Sequence, residues 1–424
     1  MNQNISTEWS KTERIIFRLS FCYLVFYFVF LDDFIVRYFP VLNYVHAPLQ
    51  NISNSFVGLV NRLFLHKEYG ENIYKGLGDT SWSCIAILSY CILAVIATVV
   101  WTIFDKRKNY LRLFTLLQTY ARYYLAFILF FYGFGKLFGV QFFDPSPDYL
   151  MQPLGNIDSH TLLWTFMANS KSYNFFGGLM EVIPGVLLLF RRTTTLGVLI
   201  AIVTLINVLM LDIGYDTLVK ITAAHFILIG LFILSPDVKR VFNFFSLNKN
   251  TSLTVVPPVI LRQRLKWMQY SLKFILIAFI VFTTVKVSVR LKENYSKPYF
   301  GGIDGIYEIK DFYLNRQLLP PIISDTLRWK KIGINKFGQM TLQYMNDSVS
   351  YYGMNADTAT KSLTLSSWND STFKSHLNYT INSPEEYMFE GIYKNDSIRF
   401  SSRKIDLQNY PLLKDKGKVK WVWW

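Results

Sequence analysis

Six polar residues sit in stretches that are otherwise too apolar to carry them: Arg122, Lys136, Glu181, Asn207, Lys220 and His225. Glu181 is the most demanding of them. It lies inside the apolar run from Phe175 to Phe190, which is framed by Lys171 and by Arg191-Arg192. A carboxylate inside hydrocarbon has no water around it and a side chain too short to reach the headgroups. Groups of this kind pair with another charge, line a cavity or carry protons. A carboxylate within about 4–6 Å of a cation stays ionised, whereas an isolated one takes up a proton. Glu181 and His225 at similar depths therefore predict a polar ligand pocket able to exchange protons, with Lys136, Lys220, Asn207 and Arg122 as further contacts. The same residue types also serve as interhelical ion pairs, Glu181 with Lys136 for one. Arg122 has a third course, snorkelling to the nearby end of its segment. The residues alone leave these readings open.

The elements that must hold these residues are membrane helices. The chain of 424 residues is 51% hydrophobic and 17% aromatic, and seven runs approach the ~20 residues that a bilayer core requires. They are Ile15–Leu31, Ser83–Phe104, Gln118–Phe138, Phe175–Phe190, Thr194–Leu211, Leu218–Leu234 and Met268–Val287. At such lengths in lipid only a helix satisfies its own backbone. Positions 122, 125, 129, 132 and 136 share one face of the third, so Arg122 and Lys136 point the same way. Gly133 and Gly135 beside Lys136, and Gly177-Gly178 before Glu181, suit close helix contact. Pro184 removes a backbone donor one turn after Glu181.

Lys and Arg collect at Lys11, Arg14 and Arg18, at Lys106, Arg107, Lys108 and Arg112, at Arg191-Arg192, and at Lys239, Arg240, Lys249, Arg262, Arg264 and Lys266. The positive-inside rule then puts the N-terminus in the cytoplasm and the tail outside. Arg37, Arg62, Lys67 and Lys75 in the first outer loop, with Lys286, Arg290 and Lys292, run against that count. Leu49–Leu65 in that loop has helical apolar spacing and predicts a surface helix. Thr161–Met167 in the second outer loop is a shorter amphipathic candidate, either a lid over a pocket or a packing helix.

From about Gly302 the period changes to two. Tyr307-Ile309, Leu327-Trp329, Met340-Leu342-Tyr344, Leu363-Leu365, Leu377-Tyr379-Ile381, Tyr387-Phe389 and Ile398-Phe400 alternate as strands. Asn346-Asp347, Asn369-Asp370, Asn382-Ser383-Pro384 and Asn395-Asp396 mark turns. Short strands at this spacing predict a small up-and-down barrel or a sandwich. His376 falls out of step with the apolar face of its strand and reads as solvated. The net charge of +15 comes without the basic, aromatic-interleaved motif of a nucleic-acid binder, so no nucleic-acid partner is expected. Cys22, Cys84 and Cys91 lie in the spans, form no CxxC and read as small buried hydrophobes. No haem, flavin, Fe–S or metal spacing is present, and no residue is assigned a catalytic role.

The stretches "YARYYLAFILFFYGFGKLF" at 120–138, "GGLMEVIPGVLLLFRRTTTLGVLI" at 177–200 and "DTLVKITAAHFILIGLFIL" at 216–234 resemble the DoxX family of small four-helix membrane proteins. Arg122 with Gly133 to Lys136, and Glu181 in a Gly-rich helix, are the matching features. The resemblance implies a four-helix bundle at residues 110–242. Around it stand two spans with a long outer loop at 1–109, a cytoplasmic linker and seventh span at 243–298, and an exoplasmic β-domain at 299–424. The pieces "GIYEIKDFYLN", "SDTLRWKKIGI" and "DSIRFSSRK" make that tail lipocalin-like. By the same resemblance the expected work is redox or quinone-linked, with quinone as the lipophilic ligand and no stand-alone catalytic activity. Partners are then membrane lipid and a redox or envelope protein. The expected location is the bacterial cytoplasmic membrane, which the Asn/Lys/Ile/Tyr/Phe-heavy composition of an AT-rich genome suits. The alternative is a non-catalytic anchored protein whose β-domain binds a partner or lipid.

Overall fold

Among the described residues of the computed structural model, seven helices are long and apolar enough to cross a membrane. The structure describes residues 8–32, 34, 36, 40–66, 78–251, 266–296, 302–370 and 372–414. Arg37, Lys67, Lys75, Arg262 and Arg264, which enter the charge count, lie outside them. In chain order the spans are α1 (Lys11–Phe26, extended to Leu31 by a π-helical turn), α3 (Ser81–Phe104), α4 (Leu111–Leu137), α7 (Lys171–Leu189), α8 (Thr194–Gly214), α9 (Lys220–Leu234) and α11 (Lys266–Ser296). Each coincides with one of the apolar runs. Local chemistry sets several starts. Ser10 and Glu13 close a capping box on α1, and the Thr80 hydroxyl accepts from the Ser83 N–H at the start of α3.

The chain divides into two compact units, Met1–Phe134 with Gly178–Val285, and Gly135–Gly177 with Lys286–Trp424. In the first, small residues permit close helix approach. A Cβ on Gly133 of α4 would stand 2.7 Å from Val182 Cγ2 and 3.0 Å from the Gly178 carbonyl of α7. A Cβ on Gly197 of α8 would stand 2.8 Å from Leu187 Cβ of α7. The connection between α1 and α3 carries helix α2 (Asn43–Val60), prolonged by a π-turn through Leu65. It buries Ser53, Val57 and Val60 and ties itself to α3 through Tyr90 Oη to Ser53 Oγ, 2.6 Å. Arg18, placed by sequence in the charged N-terminal flank, is buried and donates to Tyr110 Oη, Thr102 Oγ1 and the Asp105 carbonyl. Of the cysteines only Cys22 is buried; Cys84 and Cys91 face outward on α3, against expectation.

The second unit is built on a closed antiparallel barrel. Strands β1 (Gly305–Leu314), β3 (Trp329–Asn335), β4 (Gln339–Tyr344), β5 (Val349–Asp357), β6 (Ser362–Ser366), β7 (Lys374–Ile381), β8 (Glu386–Tyr393) and β9 (Asp396–Ile405) follow one another as neighbours. The β1–β9 pairing closes the ring, with a register shift between Ile309 and Phe312, and the short β2 (Gln317–Leu318) folds back on β1. At eight strands a barrel is just wide enough to be filled by side chains. Here Tyr307, Phe312, Trp329, Phe389 and Phe400 fill it with ring contacts such as Phe389–Phe400 at 5.0 Å and Trp329–Tyr393 at 5.0 Å. The Tyr393 hydroxyl meets those of Tyr352 at 2.7 Å and Tyr344 at 3.2 Å. Burial drives the Tyr393 phenol well above its ordinary range. His376 is exposed, as expected.

Residues 135–177, assigned by sequence to the bundle region, belong to the barrel's unit. Their helix α5 (Pro147–Met151) covers the barrel wall at β3 and β4. Gly333 makes room for it, since a Cβ there would stand 2.7 Å from Met151 Cε. Gln343 Nε2 donates to the Met151 carbonyl at 3.2 Å, and Gln152 Nε2 to Tyr351 Oη at 2.8 Å. Helix α6 (Ser159–Asn169) is capped by Asp158, which accepts from the Thr161 N–H at 2.9 Å and contains the predicted Thr161–Met167 helix.

Candidate ligand site in the helical unit

The sequence-predicted site residues have separate fates. Glu181 is 3% exposed on α7, and Lys136 is buried near the end of α4, with its Cδ 3.5 Å from where a Cβ on Gly177 would lie. Lys220 does not enter the interior. Its Nζ bonds Asp216 at 2.7 Å and the Thr217 carbonyl at 2.9 Å, and pairs with Asp79 at 3.4 Å. Asp79 itself caps α9 from outside the helix, accepting from the N–H groups of Lys220 and Ile221 at 3.0 and 2.8 Å. Lys220 is thus part of a helix-end staple. Asn207 is exposed. The buried side of α8 runs through Val198, Ala201, Leu205 and Asp212. Two residues beyond Leu205 is roughly 200° around an α-helix, which turns Asn207 outward. Arg122 is 7% exposed and reaches towards the turn before α8, with Nη1 3.4 Å from Thr194 Oγ1.

His225 leads to a group that the sequence reading passed over. Its Nδ1 lies 2.7 Å from the Ile221 carbonyl, four residues back on α9. A carbonyl only accepts, so Nδ1 carries the proton and Nε2 is the acceptor. The donor to Nε2 is the Tyr23 hydroxyl of α1, at 2.7 Å. Both ring nitrogens are therefore engaged on α1 and α9, away from the Glu181 helix. One turn on, the Tyr27 ring stacks on the imidazole.

From Tyr27 to Leu31 the chain winds as a π-helix. The Asp32 N–H bonds the Tyr27 carbonyl, 2.9 Å away and five residues back, and Gln50 Nε2 takes the Phe30 carbonyl at 2.9 Å. In α-helical geometry Asp32 would sit about 140° around from Tyr27; the wider π-turn brings the two onto one side. π-Turns inside helices are frequent at functional sites. Asp32 is 3% exposed, Tyr27 1% and Tyr124 of α4 3%. The Tyr27 and Tyr124 hydroxyls neighbour each other and the Asp32 carboxylate. Yet neither hydroxyl closes a hydrogen bond of normal length among the described residues. Rings wall the place: Phe28 packs on Tyr120 at 4.8 Å and on Tyr124 at 4.9 Å, and Phe226 lies 6.4 Å from Tyr124.

The group thus offers two buried hydroxyls, a carboxylate and an imidazole of fixed tautomer within aromatic walls. Such a set can donate and accept hydrogen bonds and carry protons. Among the described residues, no three His, Cys, Asp or Glu side chains gather to hold a metal ion. The signal that sequence reasoning could have used is Tyr23–Tyr27–Asp32 within "YLVFYFVFLDD": two tyrosines one turn apart and an acid closing the first span.

No protein-family model matches the chain, and no solved structure matches it. The uncharacterized protein YwoB of Bacillus subtilis (strain 168) is 30% identical to it over 124 residues, which is 29% of this chain and 79% of that protein.

Proposed function

The chain belongs to the family of the Bacillus subtilis protein YwoB, and from the site in its helices we propose a membrane protein that holds a quinone-like lipophilic head and supports a redox process. The observation that carries this is the pair of buried hydroxyls, Tyr27 and Tyr124, which close no hydrogen bond of normal length among the described residues. Leaving such a group unsatisfied costs on the order of 1–3 kcal/mol. A quinone head presents carbonyl oxygens that accept from hydroxyls, and a flat ring suited to Phe28, Tyr120 and Phe226. When bound it supplies two-electron redox chemistry. The chain's own part is to orient the head, exclude water and keep a proton acceptor close, which Asp32 provides, with the His225 imidazole stacked on Tyr27. Electrons then come from a protein partner.

The wider reading rests on the same footing. A DoxX-like bundle of α4, α7, α8 and α9 is supported by the close approaches at Gly133 and Gly197 and by the buried Glu181 and Arg122. A cytoplasmic-membrane location with the barrel outside is supported by the distribution of Lys and Arg.

The test is mass spectrometry of lipophilic molecules retained by the gently solubilised full chain and by Tyr27→Phe/Tyr124→Phe. A quinone held by the first and lost from a still-folded second is the expected result. Bulk phospholipid alone in both samples overturns it. That outcome would favour the second reading, an anchored barrel that binds a partner or lipid. Its support is the exposed apolar set Ile323, Leu327 and Trp368, in the β2–β3 and β6–β7 connections at one end of the barrel.

A further inference from the structure

A second group of polar residues lies around the turn between α7 and α8, apart from the tyrosine site. Phe190 to Thr193 link the end of one span to the start of the next. Two cations from other helices reach this turn. Arg122 of α4 sets Nη1 3.4 Å from Thr194 Oγ1, and Lys273, at the head of the α11 span, sets Nζ 5.3 Å from the centre of the Phe190 ring. The turn adds Arg191. Lys273 lies within electrostatic reach of both Arg122 and Arg191, and Arg122 within reach of Arg191. Three like charges thus lie within electrostatic reach of one another.

Two further observations point to an anion. Arg122 is buried, and its Nε has no hydrogen-bond partner among the described residues. The 21-residue α8 begins here without a side-chain cap. The Thr193 hydroxyl, which stands at the capping position, turns back to the Leu187 and Phe190 carbonyls instead. An uncapped helix start presents N–H groups and a partial positive charge to an anion. The acid that reaches the next residue, Asp237, is committed elsewhere: it accepts from Thr195 Oγ1 at 2.6 Å and pairs with Arg240 at 3.1 Å.

We propose that Arg122, Arg191, Lys273 and the start of α8 form a phosphate site, filled by the headgroup of an anionic phospholipid. The position fits a headgroup because the turn lies where the α7 span ends and the α8 and α11 spans begin. Guanidinium groups match phosphate oxygens in geometry as well as charge, and basic pockets between spans are a recurring way to hold anionic lipid.

Native mass spectrometry of the full chain in detergent, supplied with phosphatidylglycerol or phosphatidylethanolamine, tests the proposal. The wild type is expected to retain phosphatidylglycerol preferentially. Arg122→Gln/Lys273→Gln should lose that preference by roughly tenfold, and Lys239→Gln, which removes an exposed cation from the short helix α10 (Val238–Phe245) away from the site, should keep it. Equal retention of the two lipids by the wild type, or an equal loss in Lys239→Gln, overturns the site. If the double variant does not fold, Lys273→Gln alone carries the comparison, with Lys273→Arg expected to restore binding. Thermal shift with inorganic phosphate forms a separate arm. Stabilisation of the wild type but not of Lys273→Gln by phosphate, without lipid retention, keeps the phosphate chemistry and assigns its source to solution.

Discussion

The Tyr27 ring lies parallel to the His225 imidazole, with centroids 4.6 Å and planes 7° apart. Stacking fixes the plane of the imidazole, the Ile221 carbonyl fixes its tautomer, and Tyr23 occupies its remaining nitrogen. His225→Phe keeps the stack but leaves the Tyr23 hydroxyl without its acceptor. The variant should lose about 1–2 kcal/mol of stability, and adding Tyr23→Phe should return most of it. Thermal unfolding of the four proteins in a double-mutant cycle measures that coupling.

Tyr27→Phe and Tyr124→Phe should behave in opposite ways with and without ligand. In protein stripped of lipophilic molecules each removes a buried hydroxyl that closes no normal hydrogen bond among the described residues, so stability should hold or rise by up to about 1 kcal/mol. In gently solubilised protein the same changes remove donors to the ligand, and the melting temperature should fall. A fall in both preparations would mean that the hydroxyls serve only the fold.

Asp79 caps α9 from a distant part of the sequence. Asp79→Ala removes the acceptor of two backbone N–H groups and a partner of Lys220 at once, and should cost about 1–2 kcal/mol. Asp79→Asn keeps an acceptor and should cost less. Equal losses for the two would show that charge at the helix end matters more than the cap.

Gly133 tests the helix packing. Gly133→Ala should destabilise by roughly 1–3 kcal/mol through overpacking. Val182→Ala relieves the contact with Val182 Cγ2 but not the one with the Gly178 carbonyl, so the rescue should be partial. A complete rescue would mean that α4 and α7 can part without penalty.

Acid should loosen two turns outside the spans. The Thr161 N–H holds the Asp158 carboxyl below the usual carboxylate range, and the Thr360 and Ala359 N–H groups do the same for Asp357. Both groups titrate lower when folded than when unfolded. Their contribution is therefore complete above about pH 4 and disappears as pH falls through the folded value. Hydrogen exchange at Thr161, Ala359 and Thr360 should quicken on acidification in the wild type. In Asp158→Asn and Asp357→Asn that pH dependence should flatten.

The membrane helices were legible because an apolar run of span length leaves few other outcomes. Most barrel strands were legible for a related reason: one wet and one buried face impose alternation. β5 was missed because "VSYYGMNAD" alternates poorly, and its neighbours, more than its own pattern, hold it in the sheet. The candidate site was half legible. A charge in an apolar run is conspicuous, so Glu181, Arg122 and His225 drew notice, whereas Tyr23 and Tyr27 look like ordinary span aromatics and Asp32 like the start of a loop. Asn207 shows the converse, since depth along a helix can be counted but its rotation against neighbours depends on packing. The covering of the barrel wall by α5 rests on contacts between residues nearly two hundred positions apart, which no local pattern encodes.

The π-turn accommodates one residue more than ordinary winding needs to bring the acid round to Tyr27. Deleting one residue between Tyr27 and Leu31 would let the segment wind as an α-helix with the acid four residues from Tyr27, about 40° around and still on the tyrosine side. Relaxation to α-winding at the present length would instead carry Asp32 about 140° away. Across related chains, single-residue gaps in this stretch should therefore keep the polar cluster, with a plain α-helical turn in place of the π-turn. The wider winding is what absorbs the extra residue.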